Sequence, residues 1–238
     1  RITNKGLKPL PEMSVSEWAD RYRMLSSGIS AEPGRYRTSR APYQREVMDS
    51  FTQPGVWKIC GKFCSQAGKS EIVNCIIGRF SHLDPCTIMM IQPTVEMAED
   101  FSKSRISPMI RDTPSLSKLF FDVKSRSSNN TILSKIFPGG RLIMCGANSP
   151  AGLASRPIRI LLADEVDRFP DSAGTEGDPV DLAAKRTTTF WNRCIGLFST
   201  PTNEGASRIE DEYQTGTQEE WQHECPSCGE FHLLRHIV

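Results

Sequence analysis

The chain has 238 residues, and its 29 lysines and arginines are nearly balanced by 28 aspartates and glutamates, which leaves a formal charge of +1. This balance excludes a strongly basic DNA-coating protein, so any contact with nucleic acid must come from a local patch or from several subunits together. The sequence contains no apolar run near the ~20 residues of a membrane span, and we expect no membrane partner. The start of the chain has neither a signal region nor an initiator methionine, so we expect a fragment or a processed form.

The cysteines indicate a reducing compartment. Only Cys225 and Cys228 form a C-x-x-C pair. The others lie in or beside apolar segments, and we expect them to be buried reduced thiols; they are Cys60, Cys64, Cys75, Cys86, Cys145 and Cys194. A chain this large and rich in core residues needs no disulfide scaffold, so a cytoplasmic location is expected.

The first fifty residues predict a helical arm. Ser14 and Glu17 have the spacing of a capping box, and apolar residues follow at helical spacing. Residues 27–41 are rich in Ser, Gly, Pro and Arg, which indicates irregular structure. A second helix is expected after Pro42, through Met48.

From residue 51 to about 214, short apolar segments alternate with helical patterns. Strands are predicted at 56–60, 86–91, 141–145, 158–163 and 194–198, and helices at 71–80, 95–107 (ending before Pro108) and 179–190. Between residues 111 and 137 the pattern is ambiguous, with a polar stretch at 125–130 and an edge strand at 132–136. This alternation predicts an α/β fold with three layers and a mostly parallel central sheet. Residues 215–238 change in character and indicate a small β appendage or the start of a linker.

The most informative segment is 61–70, which ends in Gly68, Lys69 and Ser70. It fits the end of the phosphate-binding loop G-x-x-x-x-G-K-[ST], but Phe63 stands where the first glycine belongs. In that geometry the backbone N–H groups of residues 66–70 (Gln66, Ala67, Gly68, Lys69 and Ser70) would face the β-phosphate of a nucleotide. Lys69 would bridge the β- and γ-phosphates, and Ser70 would bind Mg²⁺. The alternative is a helix that begins by chance with Gly-Lys-Ser.

Two acids follow the predicted strand 158–163. Because ligands of open α/β sheets lie at the carboxyl edge, Asp164 would hold the water shell of Mg²⁺. Glu165 would act as the general base that polarises the attacking water. The alternative is an acidic turn after a strand, which becomes less probable when a phosphate loop lies upstream.

Two further segments carry polar groups that suit a nucleotide. Ser199, Thr200 and Pro201 follow the last predicted strand, where the hydroxyls can bond a γ-phosphate or its attacking water; a simple Ser/Thr/Pro turn is the alternative. Tyr43 can stack on adenine and Gln44 can read its edge, although the start of a surface helix explains the same residues.

Taken in order, these segments resemble the ATPase domain of lambda-like phage terminase large subunits. The resemblance rests on Val15-Ser16-Glu17-Trp18-Ala19-Asp20, Pro42-Tyr43-Gln44-Arg45, Gln66-Ala67-Gly68-Lys69-Ser70, Gln92-Pro93-Thr94, Ser149-Pro150-Ala151, Leu162-Ala163-Asp164-Glu165-Val166-Asp167, Gly177-Asp178-Pro179, Lys185-Arg186-Thr187 and Ser199-Thr200-Pro201-Thr202. It implies a P-loop fold of the RecA/ASCE type that hydrolyses ATP with Mg²⁺. It also implies a homo-oligomeric ring on a viral portal, with a small terminase subunit, that drives double-stranded DNA into a procapsid in the host cytoplasm. An endonuclease domain would lie beyond Val238.

The resemblance also suggests roles for particular residues. Family members often carry a basic residue early in the loop; since position 65 is a serine (Ser65), that role would fall to Lys62. Ser199-Thr200-Pro201 resembles the motif that couples hydrolysis to movement. Arg156 and Arg186 are candidate transition-state arginines, and a surface salt bridge is the alternative for each.

The tail around Cys225 and Cys228 resembles half of a zinc ribbon. A structural Zn²⁺ site needs further ligands, which His223 or His232 can supply. The segment is then a knuckle left incomplete in this fragment, or one that has lost its metal.

Two other functions remain open from the sequence. One is a helicase-like or DNA-remodelling ATPase. The other is a nucleotide-binding assembly module without hydrolysis, which the missing first glycine favours.

Overall fold

Helices and a short pair of strands precede the central sheet in the chain. The computed structural model describes residues 11–28, 30–120, 130–203 and 205–233. The arm contains α1 (Val15–Tyr22), the paired strands β1 (Met24–Leu25) and β2 (Gly34–Arg35), and α2 (Arg45–Asp49). The capping box is confirmed, because the Ser14 hydroxyl accepts from the Glu17 N–H and the Glu17 carboxylate accepts from the Ser14 N–H.

The arm is continuous with the main core. The Trp18 side chain is fully buried, and its indole N–H donates to His82 Nδ1 at 3.0 Å. Its ring lies so close to Gly78 that a Cβ there would clash with it. Arm and sheet therefore share one hydrophobic cluster, although the sequence suggested a boundary near residue 50.

Six strands form the central sheet. They are β3 (Lys58–Lys62), β4 (Thr87–Gln92), β5 (Ser134–Phe137), β6 (Gly140–Gly146), β7 (Ile160–Asp164) and β8 (Cys194–Ser199), in the spatial order β3-β8-β7-β4-β6-β5. All neighbours pair in parallel except β5, which runs antiparallel at the edge. The predicted mostly parallel sheet and its edge strand are confirmed.

Helices cover both faces of the sheet. The remaining elements are α3 (Lys69–Leu83), α4 (Val95–Phe101), α5 (Ser107–Asp112), α6 (Pro114–Ser117), α7 (Pro150–Leu153), α8 (Pro179–Ala184), α9 (Arg208–Gln214), β9 (Gln222–Glu224) and β10 (Phe231–Leu233). Alternation along β4 divides the core, since Ile88 and Met90 pack with α3 while Met89 and Ile91 pack with α7, α8 and α9. The predicted three-layer α/β fold is thus confirmed.

Three local predictions were wrong. The helix from Val95 does not end before Pro108, because a π-helical segment, Ser102–Ile106, leads into α5 with the proline in its first turn, where its missing N–H costs nothing. The helix from Pro179 ends at Ala184 and continues as a 3₁₀ turn. Cys64 is exposed and Cys60 is only half-buried, although both were predicted to be buried.

Some expectations lie outside the described residues. These are the features of residues 1–5 and most of the polar stretch at 125–130. No helix in the described ranges combines the length and apolar character that crossing a bilayer requires.

The strand order positions the site. Strand β8 lies between β3 and β7, and its register pairs Ser199 with Lys62 and Phe198 with Asp164. The carboxyl ends of these three strands therefore lie side by side at one edge. The glycine-rich loop, the two acids and the Ser-Thr-Pro segment are brought together there.

Candidate active site

The loop turns later than its sequence pattern suggests. The Phe63 N–H still donates to the Ser199 carbonyl at 3.0 Å, so the chain follows β8 beyond the end of β3. The Phe63 ring packs against the core, and a Cβ on Gly61 would lie 2.7 Å from it. The reversal comes at Gln66 (φ 61°) and Gly68 (φ 79°), directly before α3. Phe63 can therefore stand where the motif has its first glycine, because the backbone at this position does not need a positive φ.

Residues of the arm brace this loop. Gln44 is 4% exposed; its amide accepts from the Tyr36 hydroxyl at 2.8 Å and donates to the Ala67 carbonyl at 3.0 Å. The Tyr43 hydroxyl donates to the same carbonyl at 3.2 Å. The structure thus places the two predicted adenine-contacting residues beside the loop, where they hold its backbone.

Lys69 joins the three segments. Its Nζ donates to Thr200 Oγ1 at 2.5 Å and lies 3.3 Å from Glu165 Oε1. The lysine is 7% exposed, so this pair is only weakly screened by water. The loop, the acids and the Ser-Thr-Pro segment consequently meet at one ammonium group.

Asp164 is buried beside this group. It is 4% exposed, and its Oδ2 accepts from Gln92 Nε2 at 3.3 Å, while its Oδ1 has no hydrogen-bond partner among the residues that the structure describes. Burial raises the pKa of this carboxyl to about 6, and the neighbouring charge of Glu165 adds to that effect. An unpartnered buried carboxylate oxygen is costly without a cation or water, so the site suits a metal-bound water.

Glu165 has an unusual backbone. Its φ is 58°, in the left-handed region that non-glycine residues rarely occupy, and its side chain is 23% exposed. It also lies 3.8 Å from the guanidinium of Arg168. Such local strain is found often at functional sites, and here it turns the carboxylate towards Lys69.

Asp167 has a structural role that the sequence did not reveal in full. Its carboxylate accepts from the N–H of Thr202 at 2.9 Å and from the N–H of Ile209 at 2.8 Å. Although partial burial opposes ionisation, hydrogen bonds from Ser207, Ile209 and Thr202 hold the pKa of Asp167 below its usual value. Asp167 therefore fastens α9 and the segment after β8 to the end of β7.

Two of the predicted site residues, Lys62 and Ser199, have hydrogen-bond or ion-pair partners away from Lys69. The Lys62 ammonium pairs with Glu210 at 2.9 Å and lies 4.0 Å over the ring of Tyr213, so the structure directs it to α9. Ser199 is fully buried, and its hydroxyl accepts from the Asp167 N–H at 3.2 Å. Only Thr200 of the Ser-Thr-Pro segment presents a hydroxyl to Lys69.

The remaining loop residues differ in exposure. Ser65 and Gln66 are exposed, and Ser70 is half-buried in the first turn of α3. They are available to a ligand at the loop. Pro201 is exposed beyond Thr200.

Arg156 and Arg186 lie together on the surface. Both are exposed and line a cavity of about 320 Å³ with Lys185, Thr188 and neighbouring residues. The backbone joins the two segments, because the Ile158 N–H donates to the Arg186 carbonyl at 3.0 Å. Both arginines therefore belong to a single basic surface.

The sequence reasoning assigned Gln92 no role of its own in the site, and it interpreted Asp167 only as a cap or salt-bridge residue. Gln92 is a polar residue at the carboxyl end of a buried strand, and β4 is the direct neighbour of β7. The strand order needed to see this contact is not readable from the chain. Asp167 had a local signal, its place two residues after Glu165, but its partners on α9 are distant in sequence.

The arrangement defines a class of protein. A Gly-Lys-Ser loop that opens a helix at the carboxyl edge of this sheet, with the acids of β7 beside it, is typical of P-loop nucleoside triphosphatases. Residues 30–237 match the family described as phage terminase large subunit gpA, ATPase domain, and the chain belongs to that family. Its class of enzyme is therefore the ATP hydrolases.

Curated relatives agree with this assignment. The chain is 28% identical over 231 residues to the large terminase subunit of Escherichia phage lambda, covering 96% of this chain and 35% of that protein. It is also 28% identical over 232 residues to the large terminase subunit of Enterobacteria phage P21, covering 95% and 35%. The chain thus spans about a third of the length of these relatives.

Solved structures support the fold. The HK97 bacteriophage large terminase superposes with a TM-score of 0.64 at 14% identity, covering 85% of this chain and 42% of that one. The ATPase domain of the Thermus phage P74-26 large terminase gives a TM-score of 0.53 at 14% identity, covering 80% and 75%. The predicted terminase-like ATPase fold is confirmed.

Proposed function

We propose that this chain is the ATP-hydrolysing motor domain of a terminase large subunit that moves double-stranded DNA into a procapsid. The observation that carries the proposal is the meeting of Lys69, Glu165 and Thr200 beside buried Asp164. These groups come from segments that follow three adjacent strands, with Lys69 opening α3 after β3, so a displacement of one segment would act on the other two.

Mg²⁺ fits the residues that are present. The unpartnered Oδ1 of Asp164 and the hydroxyl of Ser70 are oxygen donors, which this hard cation prefers. Asp164 would hold the ion through water and Ser70 would bind it directly. Bound Mg²⁺ would supply charge neutralisation at the β- and γ-phosphates.

Lys69 and Glu165 would exchange partners during the reaction. The γ-phosphate of ATP is a stronger partner for Lys69 than a single carboxylate, so binding would draw the ammonium away from Glu165. The released carboxylate can then accept a proton from the attacking water as general base. Thr200 would lose its hydrogen bond from Lys69 at the same moment. The conformation of the segment after β8 would then depend on whether ATP is bound.

The rest of the loop would hold the nucleotide. Backbone N–H groups of residues 66–70 would face the phosphates, and the dipole of α3 adds to their attraction. Exposed Ser65 and Gln66 are free to approach from the solvent side. Tyr43 would contact adenine with its ring, while Gln44 would act chiefly through the Ala67 carbonyl. Lys62 would join the site only by leaving Glu210.

The Gly68→Ala substitution tests the loop. A Cβ at this position would clash with Gln44 Nε2 and would have to keep a φ of 79°, so the loop must distort. We expect ATP affinity to fall by about tenfold or more, since the strain and the lost contact together cost about 2 kcal/mol. Titration calorimetry with a non-hydrolysable ATP analogue and Mg²⁺ measures this. Gly55→Ala is the matched control, because Gly55 has a similar φ of 85° with open space around its Cβ; equal affinity losses in both variants would contradict the loop assignment.

The partners follow from the proposed function. They are double-stranded DNA, a small terminase subunit, a portal protein and further copies of this chain in a ring, within the cytoplasm of the host cell. The protein's net charge is close to zero, so DNA contact would depend on local basic surfaces summed over the ring. An endonuclease domain would belong to the remaining part of a full-length protein.

The proposed function is tested with the full-length protein, its small subunit, procapsids and linear DNA. We expect ATP hydrolysis that rises with DNA and is accompanied by DNA that becomes protected from nuclease. ATP binding without hydrolysis under these conditions would favour an assembly module instead. Unwinding of duplex DNA without protection would favour a helicase-like enzyme.

Arg156 and Arg186 are both candidates for an arginine that acts across a subunit interface. Both are exposed on the basic surface, whereas Lys69 and Asp164 are buried, so a neighbouring subunit can receive either one. We expect Arg156→Ala to lower turnover by about 10³-fold, as loss of a transition-state arginine does. Mixing Arg156→Ala subunits with Glu165→Gln subunits should restore turnover, because one interface then has both groups intact. Arg186→Ala is examined in the same mixture, and no recovery for either arginine would exclude action in trans.

A further inference from the structure

The carboxyl-terminal hairpin holds a cluster of metal-binding atoms. Sulfur atoms of Cys225 and Cys228 and a ring nitrogen of His232 all lie within 4.8 Å of one another. Ligands of a tetrahedral zinc ion lie roughly 3.5–3.8 Å apart, given Zn–S near 2.3 Å and Zn–N near 2.0 Å, so a small contraction would close the set. Thiolates with imidazole select zinc over the harder cations.

Burial contributes little to the stability of the hairpin. Every residue of β9 is exposed, and so are Phe231 and His232 of β10. A two-stranded hairpin without a buried face is marginal in water. The tight turn is nevertheless well formed, with the Cys225 N–H donating to the Glu230 carbonyl at 2.8 Å and the Gly229 N–H to the Cys225 carbonyl at 2.9 Å. A bound metal ion is a common way to stabilise a structural unit this small.

His223 is placed to complete the set. It pairs directly with His232 across the two strands. Residues opposite each other share a face of the hairpin, and so do residues two apart on one strand, which puts His223 on the side of Cys225. A change of its side-chain rotamer would bring its ring to the cluster.

The hairpin also touches the nucleotide-binding edge. Trp221 directly precedes β9, and its ring meets the Tyr43 ring edge-on at a centroid distance of 6.5 Å. The Tyr43 hydroxyl in turn donates to the Ala67 carbonyl in the phosphate loop. A rigid hairpin would therefore hold the Trp221 and Tyr43 rings in place beside the phosphate loop.

We propose that Cys225, Cys228, His232 and His223 bind one zinc ion, and that this metal holds Trp221 against Tyr43 at the ATP site. The second part rests on the proposed function, since it assumes that ATP binds at the loop. The first part does not, because metal binding is measured without nucleotide.

The metal site is tested on the full chain purified without chelator. We expect about one zinc per chain by elemental analysis, and Co²⁺ in the zinc-free protein should give the intense visible absorption of a tetrahedral thiolate site. Cys225→Ser and His232→Ala should weaken Zn²⁺ binding by at least about tenfold, and His223→Ala should weaken it less. Cys64→Ser is the control, because this exposed thiol lies outside the cluster. Wild-type metal content equal to that of Cys225→Ser would overturn the site.

The link to the loop is tested by affinity. Removing zinc should weaken ATP binding by about threefold to tenfold, the range expected for losing one aromatic contact. Trp221→Ala should produce the same loss while zinc stays bound. Unchanged ATP affinity after zinc removal would overturn the link and leave the metal site standing, and failure of ATP to bind any form would count against the proposed function instead.

Discussion

Replacing Glu165 with glutamine should lower ATP turnover by about 10²–10⁴-fold, the usual contribution of a general base. The amide keeps the shape of the side chain but cannot accept the proton. ATP affinity should be unchanged or higher, because Lys69 loses the carboxylate that lies 3.3 Å away and becomes fully available to the phosphates. Phosphate release by the assembled full-length complex measures turnover, and a fluorescent ATP analogue measures binding.

Glu176→Gln is the matched control for this experiment. Glu176 is an exposed acid in the loop before α8, and the same substitution there should leave both quantities unchanged. A Glu165→Gln protein that hydrolyses ATP within about threefold of the wild-type rate would remove Glu165 from the role of base. Weaker ATP binding in that variant would instead contradict the proposed exchange of partners at Lys69.

Asparagine at positions 164 and 167 should change stability in opposite directions. Burial raises the pKa of Asp164 to about 6, so its folded form binds the proton more tightly than the unfolded form does. The protonated carboxyl makes its full contribution to the free energy of unfolding below pH ~4, and this contribution is lost as the pH rises through about 6. At pH 7 the ionised, buried Asp164 therefore lowers the free energy of unfolding by about 3 kcal/mol relative to the protonated form. Asp164→Asn removes most of that cost, and we expect a gain of about 1–2 kcal/mol because the new amide N–H is left unpaired.

Asp167→Asn should have the reverse effect. The pKa of Asp167 is held low by hydrogen bonds from the segment after β8 and from α9, so its contribution is present at neutral pH and is lost as the pH falls below its usual value. We expect a loss of about 1–3 kcal/mol at pH 7 from weakened bonds to a neutral amide.

Chemical unfolding at pH 7 without Mg²⁺ or nucleotide compares the two variants directly. Asp164→Asn should also abolish Mg²⁺-dependent turnover, so that added stability accompanies lost function. If both substitutions destabilised the protein, this would contradict the conclusion that Asp164 is ionised at pH 7 at a cost in stability.

The sheet, and the meeting of the loop, the two acids and the Ser-Thr-Pro segment at one of its edges, were predictable because their signals are local. Strand β7, for example, is a run of apolar residues that ends in Asp164, and Glu165 follows it directly. Parallel strands bring their carboxyl ends to one edge, so separate segments could be combined into one site without knowing any distance. The capping box at Ser14 was readable for the same reason.

Other features depend on contacts between distant segments and could not be read from the chain. Lys62 looked like a loop residue, but alternation along β3 turns it to the face that α9 covers, where Glu210 lies. The start of α9 has a capping serine at Ser207 with Glu210 three residues later, a signal that was overlooked. Pro108 suggested a helix end, yet a π-helical segment leads the chain into α5 with the proline in the first turn of that helix.

The shared core of arm and sheet has a consequence for how the protein comes apart. Trp18 fills the space over Gly78 on α3, while Tyr36 and Gln44 hold the loop from which α3 begins. Because the arm, the loop and α3 share these contacts, we expect an opening of residues 15–49 to disturb the phosphate loop as well. We therefore expect a ligand that separates the arm from α3 to weaken ATP binding without contacting the loop itself.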